Sequence, residues 1–285
     1  MPWSIFPDKS VVITILKPEF DYSLPSFVHR DALYYASDEI VFIATKRQAA
    51  NYTEDVFTEI AIWQPEEIQL FGAITLSRSR VEFATWHASV LDNSSLDTDL
   101  SSEDVINECI ETAKNILIDN KEKTNHRYTT YIKKHVDSDY EKLLFENIDV
   151  SWGLLLRGLY TLMKSELLMK MGNSHLFMEE SFIDMQISCE AALAIIRGHL
   201  ADSGISRPTP KDAYKYIESK SVPGLQFPEY LKDIYASWVE TKHPLSDYGA
   251  NWAPSIQADD VFETWDVLIS IYRHIINDKP IDLEN

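Results

Sequence analysis

Between Phe177 and Leu200 the chain reads FMEESFIDMQISCEAALAIIRGHL, with apolar Phe182, Met185, Cys189, Leu193, Ile196 and Leu200 recurring at steps of three or four. That spacing lays one stripe along one helical face. Glu179 and Glu180 fall in the first turn, where the positive end of the helix dipole favours carboxylates. A stripe this long is buried only against other helices, so the C-terminal half is expected to be a helical bundle.

The flanking sequence supplies the partners. Trp152–Met171 reads as a helix with Trp152, Leu155, Leu156, Leu159, Met163 and Leu167 facing inward. Gly172–Asn173 closes it with a pair able to adopt a left-handed terminus, which makes the next helix its antiparallel neighbour. Thr209–Pro210 opens a short helix to about Ser219, proline taking a position where its missing N–H costs nothing. Pro228 does the same for Glu229–Thr241, which His243–Pro244 ends. Asp260 with Glu263 makes a capping-box-like start to the last helix, whose stripe is Phe262, Trp265, Leu268, Ile269, Tyr272 and Ile276.

The N-terminal third reads differently. Val11–Leu16 and Ile40–Ala44 are short β-branched and aromatic runs expected to be strands. Glu67–Ser77 and Arg80–His87 form a third and fourth run, with Arg78–Ser79 as a tight hairpin between them, and Thr53 caps a helix over Glu54–Trp63 that Pro65 ends. The polar stretch Leu91–Ser102 is a linker. Ser101 then caps a helix over Ser102–Asp119, and a further tract over Arg127–Asn147 breaks near Asp137–Ser138. The expected fold is α+β: a small, mainly antiparallel N-terminal α+β domain over 1–97, a helical connector over 98–150, and a predominantly α-helical bundle over 151–285. A length of 285 residues suits two domains.

Charge and missing motifs exclude much. The net charge is −19, and acidic residues outnumber basic ones in each of the three segments. An extended nucleic-acid surface is therefore excluded, leaving only local contact with a nucleotide or an RNA end. No apolar run approaches the roughly 18 residues of a membrane span, and MPWSIFPDKS has no signal-peptide pattern, so a cytoplasmic protein without a membrane contact is expected. Cys109 and Cys189 lie on apolar helix faces and read as buried small hydrophobes, in keeping with a reducing compartment. GxGxxG, the GxxxxGK phosphate loop, CxxC, HExxH and GxSxG are all absent, so no cofactor and no metal are expected.

The runs RGLYTLMKSELLM, FMEESFIDMQISCEAALAII and YASWVETKHPLSDYGANWAPSIQADDVFETWDVLISIYRHII resemble the HEPN superfamily over about residues 151–277. The resemblance rests on helix order, the long second helix with its early acidic pair, and a His-Pro after the fourth helix. It implies an up-and-down bundle of four to five helices, usually homodimeric, whose active members are metal-independent ribonucleases. Those members carry an Arg, four to six residues, then a His, serving charge stabilisation at the scissile phosphate and proton transfer. Here His243 is the candidate histidine. Where the Arg belongs stand Ala236, Ser237 and Trp238, none of them basic, and Lys242 adjoins the histidine on another helical face. Arg80 and His87 have the spacing but lie in the expected hairpin.

Each candidate residue has a functional and a plain reading. His243 is either the residual acid–base group or a cation at a helix C-terminus. Glu179 and Glu180 are binding carboxylates or first-turn surface residues, and Asp259 with Asp260 binds a cation or caps. Arg273, with His274, faces a cleft with His243 or faces solvent. Tyr248 and Trp252 cover the bundle end or form a contact surface for a partner or a base. The favoured expectation is a non-catalytic HEPN-like dimerisation or binding module with an N-terminal recognition or regulatory domain, homodimeric and open to a protein partner. The alternative is a metal-independent ribonuclease or nucleotide-acting toxin or defence enzyme, using His243 with an arginine from elsewhere such as Arg273. A third reading puts a small-molecule pocket in the N-terminal sheet.

Overall fold

Ser10–Leu16 (β2) carries no charge, and a strand so uniformly apolar is stable when both its faces are covered. In the computed structural model it lies inside a five-stranded sheet. The structure describes residues 3–5, 10–16, 24–47, 50–52, 63–78, 85–91, 94–95, 97–120, 138–170, 177–222 and 258–282. Trp3–Ile5 (β1) pairs antiparallel with Ala50–Tyr52 (β6) in a separate two-stranded ladder. The larger sheet runs Phe27–His29 (β3), Ala32–Ala36 (β4), Val41–Arg47 (β5), β2, then Thr85–Val90 (β7), with every pairing antiparallel. The expected α+β class with a small antiparallel sheet toward the N-terminus and helices dominating beyond it is what the chain adopts.

One face of β2 presents Val11, Ile13 and Ile15 to Leu33, Phe42 and Ala44 and to Leu100, Cys109 and Ala113. The last two come from helix Glu103–Asn120 (α2), which begins one residue later than expected. Ser101 is not its cap, because its hydroxyl donates to Asp99 Oδ1 at 2.7 Å. From the other face Thr14 reaches Glu67, its hydroxyl donating to Oε1 at 2.9 Å inside the core.

Glu67 lies in a helix, not a strand. Pro65–Arg78 (α1) replaces the expected third run, so the Arg78–Ser79 hairpin is not formed. Pro65 starts this helix at the position proline tolerates best, Glu66 and Glu67 fill the first turn, and Gln64 N–H donates to Glu67 Oε2 at 2.7 Å. Pro65 opens this element and does not close the one expected before it.

Two compact units emerge: Met1–Leu70 with Glu82–Glu141, and Phe71–Val81 with Lys142–Asn285. The division falls inside α1. The second unit takes in the last turns of α1 and most of Ser138–Asn147 (α3), together with Gly153–Lys170 (α4), Met178–Asp202 (α5), Pro210–Lys220 (α6) and Ala258–Asn277 (α7). The α4–α5 pair is antiparallel, since Ser181 reaches the Ser165 carbonyl and Ser188 the Gly158 carbonyl. Thr209 and Asp212 form the capping box that starts α6. No helix among the described residues is long and apolar enough to cross a membrane.

Three local expectations change. Trp152 precedes α4 and is 40% exposed, and Phe262 is 50% exposed, so neither belongs to the buried stripe. The last helix begins at Ala258, which puts Asp260 inside its first turn rather than at its cap. The Glu54–Trp63 helix, the 127–137 tract, Gly172–Asn173 and the Glu229–Thr241 helix lie outside the described residues or nearly so.

Candidate functional site

Tyr216 and Lys220 stand one turn apart on α6, and His274 and Asp278 stand one turn apart at the end of α7, so each pair shares a face. With His199 and Asp202 from the end of α5 and Trp152 and Leu154 at the start of α4, they line a cleft of about 1050 Å³. Local backbone features hold this end of the unit. Gly204, at φ 96, takes the left-handed conformation that glycine tolerates, and residues 203–205 return their N–H groups to the carbonyls of His199, Ala201 and Leu200. Asp278 is also left-handed, at φ 51, and ends α7 with its N–H on the His274 carbonyl.

That bend turns the following backbone toward the helix. The Lys279 carbonyl lies 2.7 Å from His274 Nδ1. A carbonyl only accepts, so Nδ1 carries the proton, and in the neutral ring Nε2 accepts from the Tyr216 hydroxyl at 3.1 Å. His274 is buried, and both ring nitrogens are engaged. The Tyr216 ring is flanked by His199 at 5.6 Å and His274 at 5.7 Å, tilted against each. His199 is exposed, and among the described residues its ring nitrogens make no hydrogen bond. Lys220 Nζ lies 5.6 Å from the Tyr216 ring centre and 4.0 Å from Asp278 Oδ1. Backbone pairing between Ser221 and Ile281 joins the segments that follow α6 and α7, Ile281 N–H donating to the Lys220 carbonyl and Val222 N–H to the Ile281 carbonyl.

A second cavity of about 550 Å³ is lined by Glu190, Leu193, Ala194, Arg197, Pro210 and Tyr214, among others. Ala194 borders both cavities. Cys189 also lines this second cavity, but burial, with Glu190 adding to it, pushes its thiol up to about 12, so it is no nucleophile.

Of the candidate residues, His243, Tyr248 and Trp252 lie outside the described residues. Glu179 and Glu180 occupy the first turn of α5 and line neither cavity. Arg273 does not face solvent freely: it is half-buried, and its Nε donates to the Leu76 carbonyl at 2.6 Å. His274, expected to be exposed, is buried because residues 267–272 of α7 are covered on nearly every side. Sequence reasoning missed Tyr216, Lys220, His199 and Asp202. The available signal was the pairing at one-turn spacing on α6 and across the α7 terminus. No group of three or more His, Cys, Asp or Glu placed to hold a metal occurs among the described residues. Comparison with family models, with curated proteins and with solved structures gave no match.

Proposed function

We propose that the chain is a binding module and not a catalyst. In this reading the helical unit is a HEPN-like bundle over about residues 151–277 that assembles as a homodimer and holds a small ligand in the α5–α6–α7 cleft. The N-terminal α+β part serves recognition or regulation. The observation that carries the reading is His274, whose two nitrogens are both spent on protein groups while its ring braces Tyr216. A general acid or base needs a nitrogen free to face the reacting group. Arg273 has committed its Nε to Leu76, and no basic residue stands at Ala236–Trp238.

Light scattering and RNA turnover test this together. The expected result is a dimer that leaves labelled single-stranded RNA intact in EDTA. A monomer at tens of micromolar removes the assembly half of the reading. Cleavage that persists in EDTA and disappears in His243→Ala overturns it and makes the chain a metal-independent ribonuclease.

A further inference from the structure

We propose that the cleft takes a small organic ammonium with an apolar body, and that the Lys220 side chain stands in for it when the cleft is empty. The inference deepens the binding reading above and rests on it. Lys220 supplies the template. Its ammonium sits over the Tyr216 ring and beside the Asp278 carboxylate, the aromatic face and anion that together recognise an alkylammonium. At 5.6 Å and 4.0 Å both contacts are long, and both side chains are well exposed, so this tethered cation is weakly held and easily displaced.

The rest of the cleft fits the same ligand. The Asp202 carboxylate lines it and has no partner among the described residues. The cleft therefore holds two carboxylates against one ammonium and two imidazoles, with Asp278 Oδ1 also 3.6 Å from His274 Nδ1. Trp152, Leu154, Ile195 and Ile276 give apolar wall for the body of the ligand. A chain of net charge −19 attracts cations to such a cleft and repels anions.

Benzylamine, benzyl alcohol and benzoate share one ring and differ in charge, and the ring-proton resonances of His199 and His274 report their binding. The expected order is benzylamine tightest and benzoate weakest. Lys220→Met removes the tethered cation and tightens benzylamine by about threefold. In that background Asp278→Asn, which keeps a residue tolerant of the left-handed backbone, weakens it again. Lys220→Gln repeats the test should the Met variant lose helicity. Tighter benzoate than benzylamine, or weaker benzylamine in both Lys220 variants, overturns the ammonium proposal and leaves the cleft as a binding site for anions. Failure of all three probes to perturb either histidine removes the binding reading itself.

Discussion

Gly158 is where one residue controls the interior of the helical unit. A Cβ there would fall inside the Tyr272 hydroxyl oxygen, 2.9 Å from Cζ and 3.2 Å from the Ala191 Cβ. The phenol occupies that space because it donates to the Ser188 carbonyl at 2.8 Å, while the Ser188 hydroxyl donates to the Gly158 carbonyl at 2.9 Å. Three helices thus meet at a knot of buried polar atoms, and burial pushes the Tyr272 phenol far up, so it stays a donor. Gly158→Ala is expected to cost about 2–4 kcal/mol in urea unfolding, the sum of overpacking and lost hydrogen bonds. Tyr272→Phe in the same chain recovers part of that, because it removes the clashing oxygen. A double variant no more stable than Gly158→Ala alone would show that the hydroxyl is not the obstacle.

At the scale of elements, α1 carries the clearest energetic consequence. Glu67 is a buried carboxylate that serves the helix start and the sheet at once, through Gln64 N–H and the Thr14 hydroxyl. Glu67→Ala is expected to cost about 2–3 kcal/mol, and Thr14→Val about 1 kcal/mol. The double variant should cost clearly less than both together, since each change removes the same bond, and strict additivity in a double-mutant cycle would refute the coupling. This element also shows where the sequence was opaque. Residues 67–76 are buried on every side, so the apolar residues of α1 have no helical period and read as a strand, and Pro65 reads equally as a stop or a start. α5 was legible because one face reaches solvent and leaves a period. α6 was legible from Thr209–Pro210, which start it as expected, though the capping box of Thr209 with Asp212 was not foreseen. The cleft was not, because Tyr216 and His274 lie 58 positions apart and only the fold makes them neighbours.

At the scale of the whole molecule, each compact unit contains one thiol, Cys109 in the first and Cys189 in the second. Burial, with an adjacent glutamate adding to it, pushes each up to about 12. A raised value means the folded state favours the neutral thiol. Its contribution to stability is complete below the ordinary thiol value and is lost as pH climbs toward 12. Near about pH 8 neither thiol of the native protein should react measurably with iodoacetamide. In rising denaturant, peptide mass should show Cys109 labelling as its sheet unit opens and Cys189 as the helical unit opens. Rapid labelling of either in the native protein would contradict the buried placement.

Ala194 lines the α5–α6–α7 cleft and the smaller cavity alike. A residue shared in this way belongs to the wall of each space, so a substitution there is made in both at once.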